Sequence, residues 1–262
     1  MPFGIRLATV VAAVLVLAWW LMGAVVACVV AGAFAMAASG LIAWQIVSPR
    51  GQWFVPTVWR GAGTGNALAL TFDDGPDPAF TPQVLDLLAA AGAKATFFMV
   101  GERVAAHPEL VRRVQAAGHQ LGSHSHAHAI GFHFLSGNAM AAEIGRGIAA
   151  IERISGQAPS AFRPPVGLRV PTLRAALRRL GRPVTCYTLT ERGLDAFHRP
   201  AEQIVERLLP HLVPGAILTL HDGTGLGGSG ERAPTIAALR VVLERMRERG
   251  LRSVRLDQLP MA

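Results

Sequence analysis

Residues 67–76 read Ala-Leu-Ala-Leu-Thr-Phe-Asp-Asp-Gly-Pro, an apolar run that stops at two carboxylates, Asp73 and Asp74, and a Gly-Pro pair. The apolar run has the length of a buried β-strand, and Gly-Pro is typical of a turn. Two adjacent carboxylates repel each other unless a cation or a proton lies between them. A turn built from ordinary turn-forming residues has the same composition. The stretch therefore predicts a strand that ends either at a chemical site or in a plain turn.

The same pattern repeats along the rest of the chain, where short apolar runs alternate with longer amphipathic runs. Such alternation predicts parallel strands covered by helices. The predicted strands are 67–72, 95–100, 119–123, 160–163, 184–189, 216–220 and 252–256. The predicted helices are 81–91, 108–117, 138–155, 171–180, 200–212 and 232–249.

Polar side chains directly follow several of these strands. Asp73, His124, Arg163 and His221 each stand at such an end. The C-terminal ends of the strands of a parallel α/β barrel converge on one face, where such folds place their chemistry. Strands also end in polar residues simply because the following loops are solvated. Solvation by itself, however, would favour Ser, Asn and Lys over carboxylates, imidazoles and a guanidinium. We therefore expect these four side chains to meet.

Histidines are concentrated in one part of the chain, with six of the nine between residues 107 and 133. His124 and His128 are four residues apart, and on a helical turn that spacing points both imidazoles the same way. Imidazole is a common ligand of zinc-type metals, and Asp73 or Asp74 would add an oxygen ligand. The bare spacing is a weak signal, and a chance or structural origin is the alternative.

The remaining histidines have less specific predictions. His126 is out of phase with the two proposed ligands, so we expect it to be solvated or to lie behind them. His221 precedes Asp222 and is a candidate ligand, an acid catalyst or a buried histidine that hydrogen-bonds a neighbour. The others have no acidic or histidine partner at ligand spacing and are predicted bystanders: His107, His119, His133, His198 and His211.

The N-terminal segment is apolar, with no charged residue between Arg6 and Arg50. A spanning helix needs about 20 apolar residues, so residues 1–47 are predicted to form a transmembrane hairpin of two helices that turns at Gly23. The run is too long for the apolar core of a signal peptide, which has about 7 to 15 residues. The hairpin predicts a multi-pass protein of a bacterial-type inner (cytoplasmic) membrane.

The hairpin would place both of its ends on one side of the membrane, and Arg6, Arg50 and Arg60 favour the cytoplasmic side. If one segment is only interfacial, the following domain lies on the outer side, so the side stays open. Residues 48–66 contain two prolines and four glycines and are predicted to link the membrane segment to a domain at 67–262.

Composition limits the classes of protein. With 51% hydrophobic and 16% charged residues the chain is not disordered, and two cysteines exclude a disulfide framework. A net charge of +8 permits nucleic acid or anionic lipid as a partner. The arginines are spread over several predicted helices, and the aromatic residues lie mostly in the membrane segment or in core strands. We therefore expect no nucleic acid partner and assign part of the charge to the lipid bilayer.

Taken together, these motifs resemble those of the polysaccharide deacetylases of the NodB-homology type, carbohydrate esterase family 4. The resemblance covers residues from about 66 to 257 and implies an α/β fold, a distorted (β/α)7 barrel. The matching motifs are Thr71-Phe72-Asp73-Asp74-Gly75, His124-Ser125-His126-Ala127-His128, Arg163-Pro164-Pro165-Val166-Gly167 and Leu218-Thr219-Leu220-His221-Asp222.

The resemblance also implies a role for each motif. Asp73 would be the catalytic base, held by Arg163, and His221 would be the general acid, oriented by Asp195. The implied metal ligands are Asp74, His124 and His128. The implied wall for the oxyanion or the substrate consists of Pro165, Val166 and Leu220.

Two motifs depart from the family pattern. Val166 stands where the family usually has Tyr, although a backbone donor survives a change of side chain. The fourth motif, Asp-x-x-Asp-Trp, keeps its second Asp as Asp195, while Arg192 and Ala196 occupy the positions of its first Asp and its Trp. These changes affect the groove wall and leave the sugar and the acyl group open.

The residues and the resemblance together predict metal-dependent hydrolysis of N-acyl, mainly N-acetyl, groups. The expected substrate is a cell-envelope polysaccharide, an oligosaccharide or a lipid-linked amino sugar. Zinc is the expected metal, and cobalt, nickel or iron would accept the same ligands. The alternative is a membrane-tethered protein that binds acylated glycan without hydrolysing it. The glycine-rich residues 223–230 are either a rim of the active site or an ordinary surface loop.

Overall fold

The computed structural model describes residues 3–197, 199–224 and 231–261. The chain divides into two compact units, Met1–Gln45 and Ile46–Ala262. The described residues of the first unit belong to one helix, and the second unit contains every strand that the structure describes.

The N-terminal segment forms a single helix, α1, at Phe3–Val47. Among the described residues it is the one helix long and apolar enough to cross a membrane, over Thr9–Val47. The prediction of a two-helix hairpin, and with it of a multi-pass protein, is therefore wrong. No proline interrupts the run, and a lone glycine such as Gly23 costs a helix only about 1 kcal/mol, so the backbone continues through it.

The second unit is built on a parallel sheet. Its strands are β1 (Ala67–Asp73), β2 (Ala95–Met99), β3 (Gln120–Ser123), β4 (Ala161–Phe162), β5 (Thr185–Cys186), β6 (Glu191–Arg192), β7 (Ile217–His221) and β8 (Arg252–Ser253). The strand order is β5-β4-β3-β2-β1-β7-β6, and β8 pairs with the start of β1. The strand predicted from residues 67–72 thus lies in the middle of the sheet.

Helices connect these strands. They are α2 (Thr81–Ala90), α3 (Gly101–Ala106), α4 (Pro108–Ala116), α5 (Gly137–Ser155), α6 (Pro171–Arg179), α7 (Ala201–Leu208) and α8 (Ala233–Glu248). Each of the six predicted helices and seven predicted strands has a counterpart here. Strand β6 and helix α3 were not predicted, because two and six residues are too few for a clear hydrophobic period.

The side chains of β1 alternate between two environments, as the two-residue period of a strand requires. Leu68, Leu70 and Phe72 belong to the buried core that the helices cover. Thr71 and Asp73 face the other way, where both accept hydrogen bonds from a buried arginine. One strand thus contributes to the apolar core and to a polar interior at the same time.

The segment 48–66, predicted as a linker, is part of the second unit and packs against its sheet and loops. Val55 is buried, and Val58 forms a parallel bridge with Tyr187. The buried Arg169 donates hydrogen bonds to the carbonyl oxygens of Gly51, at 2.8 Å, and of Ser48. Experiments on this protein should therefore retain these residues.

A substitution in the core tests the placement of β2. Phe97 is fully buried, and its ring stacks on Phe72 with 5.1 Å between centroids. We expect Phe97→Ala to lower the free energy of unfolding by about 3–5 kcal/mol, because the substitution leaves a cavity among core residues that the helices cover. Denaturant unfolding of the full chain in detergent measures this. Phe134→Ala is the matched control, since Phe134 is 91% exposed, and an equal loss in both variants would contradict the assigned core.

Candidate metal centre and active site

The site residues lie at the C-terminal ends of neighbouring strands. Asp73, the last residue of β1, is in register with His221, the last residue of β7. His124 follows β3, and its backbone N–H donates to Met99 O at the end of β2. Arg163 follows β4. Parallel pairing thus brings together residues that are up to about 150 positions apart, as the pattern of strand ends predicts.

Three side chains direct donor atoms at one point. Asp74, His124 and His128 each offer one ligand atom, and these atoms lie within 4.8 Å of one another. The Oδ1 atom of Asp74 is 3.5 Å from His124 Nε2 and 3.3 Å from His128 Nε2. Donor atoms bound about 2.0 Å from a tetrahedral ion are about 3.3 Å apart. Oδ1 of Asp74 is buried and has no hydrogen-bond partner in the part of the chain that the structure describes, so the donor set fits a divalent metal.

His124 is held in the state that a metal requires. Burial lowers its pKa well below 6.5, and the neighbouring His128 lowers it further. Its Nδ1 lies 2.8 Å from the carbonyl oxygen of Arg163. A carbonyl only accepts, so Nδ1 carries the proton and the lone pair of Nε2 faces Asp74.

The segment 124–128 is a loop and not the helical turn that the spacing suggests. Ser125 and His128 have positive φ angles, 68° and 49°, which a helix does not allow. The carboxylate of Glu143 on α5 accepts hydrogen bonds from the backbone N–H groups of His126 and Ala127, at 3.2 and 2.7 Å. Ser125 Oγ accepts from the N–H of His128 at 3.1 Å. Side-chain acceptors therefore set the position of the two imidazoles.

Asp73 forms a buried pair with Arg163. Both residues are fully buried, and Arg163 Nη1 donates to Asp73 Oδ1 at 2.6 Å and to Thr71 Oγ1 at 2.9 Å. The guanidinium carbon also lies 4.2 Å from the ring centroid of Phe98. Burial raises the pKa of Asp73, and the charge of Arg163 opposes that rise. The second oxygen, Oδ2, has no partner among the described residues and is available for a proton.

His221 forms a second pair, with Asp195. Asp195 Oδ1 lies 2.8 Å from His221 Nδ1, and Oδ2 accepts from the His221 N–H at 2.8 Å. Burial lowers the pKa of His221, but the charge and the hydrogen bond of Asp195 outweigh it and raise the pKa to about 9. The imidazole is 15% exposed, so a substrate can reach a cationic donor.

Among the three residues predicted to form the wall, the structure contradicts Leu220, whereas the roles of Pro165 and Val166 stay predictions. Pro165 is buried, and Val166 is 49% exposed with φ of 56°, a strained conformation for a β-branched residue. Leu220 was predicted to face the substrate, but it is fully buried in the core with Ile204 and Leu208. Strand alternation is the reason, because His221 faces the polar interior and its neighbour Leu220 must face the helices.

The sequence makes less specific predictions for other residues near the site. His126 donates its backbone N–H to Glu143 and lies outside the donor set. His198 and residues 225–230 lie outside the described residues, so the interpretation of the glycine-rich loop stays a prediction.

Glu143, Arg232 and Thr235 contact the site but were not predicted, and Thr71 was named only as part of its motif, without a contact. One signal for Glu143 existed, because it lies on the apolar stripe of α5 with Met140, Ile144 and Ile148. A charged residue on a buried helix face needs a partner. The others act through contacts that no local pattern indicates.

Comparison with known proteins gives the class of protein. A sequence model of the family described as polysaccharide deacetylase matches residues 60–185. A peptidoglycan-N-acetylglucosamine deacetylase of Bacillus cereus is 33% identical over 77% of this chain and 91% of the relative. A chitooligosaccharide deacetylase of Azorhizobium caulinodans is 31% identical over 71% of this chain and 90% of the relative.

A solved structure, the family 4 carbohydrate esterase from Streptomyces lividans in complex with acetate, superposes with a TM-score of 0.66. It is 29% identical, and the match covers 76% of this chain and 97% of that structure. The chain belongs to the polysaccharide deacetylase family, carbohydrate esterase family 4, and is a carbohydrate deacetylase. The predicted family, the (β/α)7-type fold and the hydrolase class are confirmed.

The donor set predicts which substitutions remove the metal. We expect His128→Ala to lower the bound divalent metal from about one ion per chain to a small fraction, because one of three protein ligands is lost. Elemental analysis after equilibration with zinc measures the ratio. His126→Ala is the matched control in the same loop and should retain the ion. Retention of a full ion by His128→Ala, or its loss in both variants, would contradict this ligand set.

Proposed function

We propose that this enzyme hydrolyses N-acyl, mainly N-acetyl, groups on the amino sugars of a cell-envelope polysaccharide, an oligosaccharide or a lipid-linked sugar, with a divalent cation. The observation that carries the proposal is the donor set of Asp74, His124 and His128. It shares the strand ends with a buried carboxylate and a carboxylate-bound imidazole. The names of the relatives, peptidoglycan-N-acetylglucosamine deacetylase and chitooligosaccharide deacetylase, support an acetylated amino sugar.

Amide hydrolysis makes three demands on a site, because an amide is a poor electrophile with a poor leaving group. It needs an activated water, a stabilised oxyanion and a proton for the departing nitrogen. When bound by Asp74, His124 and His128, a divalent cation supplies Lewis acidity that polarises a carbonyl and lowers the pKa of water. The remaining demands fall on the protein side chains and backbone.

Asp73 is suited to be the base that takes a proton from the attacking water. One carboxylate oxygen is fixed by Arg163 at 2.6 Å, and the other, Oδ2, has no hydrogen-bond partner among the described residues. A charge-assisted hydrogen bond of this kind fixes orientation and favours the ionised form. The water proton therefore goes to Oδ2 of Asp73.

His221 is suited to be the acid that protonates the departing amine. Its Nδ1 is bonded to Asp195, which leaves Nε2 to donate. The carboxylate stabilises the imidazolium and sets the orientation of the ring. We assign the stabilisation of the oxyanion to the backbone N–H of Val166, in accordance with the family resemblance, since a backbone donor does not depend on the side chain.

The donor set of two imidazoles and one carboxylate favours zinc, and cobalt, nickel or iron suit the same ligands. Helix α1 is proposed as a single anchor in a bacterial-type inner membrane, with the side of the enzyme left open. The lipid bilayer and acylated glycans or lipid-linked sugars are then its partners. A signal sequence meets the same criteria of length and composition. Retention of residues 3–47 in the mature protein separates the two.

Acetate release from a chitooligosaccharide by the full chain in detergent tests the proposed function. We expect Asp73→Asn to lower kcat by about 10² to 10⁴, because a general base contributes that factor. Bound metal should stay unchanged. Asp86→Asn is the matched control, since Asp86 is an exposed residue of α2, and it should have the wild-type rate.

A different result would favour the alternative function. If the wild type releases no acyl group from any polymeric or lipid-linked acylated sugar, yet the wild type and Asp73→Asn bind glycan equally, the protein is a membrane-tethered glycan-binding protein. A panel of such sugars also identifies the preferred substrate.

The pKa of His221 predicts the dependence of activity on pH. An acid must be protonated, so kcat/KM should fall as pH rises through the pKa of His221, which is about 9. A bound cation would lower that pKa, so with metal present we expect the alkaline limb below about 9. Asp195→Asn removes the charge that raises the pKa, and the limb should move to lower pH. An unchanged limb in Asp195→Asn would argue against His221 as the acid.

A further inference from the structure

Asp195 is a buried residue in a segment with little regular secondary structure of its own. It follows β6, which has only two residues, and begins a single 3₁₀ turn at Asp195–Phe197. The preceding Leu194 has a positive φ of 54°. Ala196 has only a methyl group with which to anchor this turn. Short strands supply few backbone hydrogen bonds, so contacts from elsewhere must hold the carboxylate.

The start of α8 provides these contacts. Thr235 Oγ1 donates to Asp195 Oδ2 at 3.0 Å. Arg232, the residue before α8, donates from Nη1 to Asp195 O at 3.0 Å and from Nε to Gly223 O at 2.8 Å. Both side chains are almost completely buried, with 2% of Arg232 and 1% of Thr235 exposed.

These hydrogen bonds contact both sides of the Asp195–His221 pair. Arg232 joins the backbone of Asp195 to that of Gly223, two residues beyond His221. Thr235 binds the same carboxylate oxygen that accepts the His221 N–H. The direction of the carboxylate, and therefore of the imidazole on its other oxygen, depends on these two residues.

Residues 223 and 224, which follow β7, also make contacts on the side that faces Asp74. Arg103 donates to Asp74 O and to Thr224 Oγ1, both at 2.9 Å. A Cβ atom at Gly223 would collide with the carbonyl oxygen of Asp74. The peptide after β7 is therefore fixed between the turn that carries the metal ligand and the carboxylate that holds His221.

Burying a guanidinium costs free energy unless its donors are satisfied. The donors of Arg232 are directed at the backbone carbonyl oxygens on either side of the Asp195–His221 pair. We propose that Arg232 and Thr235 are positioning residues: they hold Asp195, and through it the imidazole of His221, in the orientation that protonates the leaving group. This inference rests on the proposed function of His221 as the acid.

Thr235→Val tests the inference, because it removes the hydroxyl and nearly keeps the volume. For the full chain in detergent, loaded with zinc, we expect kcat on a chitooligosaccharide to fall about tenfold, the equivalent of one hydrogen bond to a charged group. KM and bound zinc should stay within about twofold of wild type. The alkaline limb of kcat/KM should shift to lower pH. Thr235→Ser, which restores the hydroxyl, should recover kcat and the pH profile.

Arg232→Lys is the second variant, since it keeps the charge but loses the fork that reaches two carbonyl oxygens. It should show the same lowered kcat with unchanged KM. Arg240→Gln, at an exposed position of α8, is the control and should behave as wild type. If both Thr235→Val and Arg232→Lys lower only the melting temperature and keep kcat and the pH profile, their role is structural and the inference is overturned.

A measurement independent of activity separates this inference from the proposed function. The Nδ1 proton of His221, bonded to Asp195, should give a downfield resonance in proton–nitrogen spectra of the wild type, Thr235→Ser and Arg240→Gln. The resonance should weaken or move in Thr235→Val and Arg232→Lys. If the wild type releases no acetate but the resonance responds in this way, the proposed function fails and the positioning stands. An unchanged resonance in both variants overturns the positioning.

Discussion

The parallel pairing of β1 with its two neighbours is the constraint on which the rest of the site depends. Because Asp73 is in register with Phe98 on one side and with His221 on the other, the proposed base and the proposed acid are fixed by backbone hydrogen bonds of the sheet. The next residue, Asp74, leaves the strand with a positive φ of 71°. That reversal separates two adjacent carboxylates, so that one pairs with Arg163 and the other meets the imidazoles.

Two pairs of opposite character share this small volume. The Asp73–Arg163 pair is fully buried, and removing one partner of such a pair leaves a charge without compensation, which is strongly destabilising. The His221–Asp195 pair is reached by solvent on the imidazole side. The first arrangement suits a fixed acceptor, whereas the second suits a donor that must exchange its proton. Their environments separate the two functions although both use a carboxylate.

The departures from the family pattern lie around the site and not in its centre. The positions of the first Asp and the Trp of the fourth motif are Arg192 and Ala196, yet Asp195 still binds His221 with both oxygens. Val166 keeps a positive φ without the usual Tyr. Buried contacts from other elements thus support the geometry of the proposed acid.

The sequence by itself determined the alternation of strands and helices, the location of the candidate site at the strand ends and the segments that form its motifs. Hydrophobic period and turn residues are local, so they predict local elements. It did not predict that residues 3–47 form one helix, because length and apolarity are the same for a hairpin. It also misassigned Leu220 and the backbone of residues 124–128.

Only the tertiary structure decided which side chains touch. Glu143, Arg232 and Thr235 act on residues 9 to 40 positions away through one or two hydrogen bonds each, and no spacing rule indicates such contacts. The two-residue strand β6 is likewise defined by its partner β7 and not by its own period. Contacts of this kind depend on how the helices pack on the sheet, a property of the whole fold that no short stretch of sequence contains.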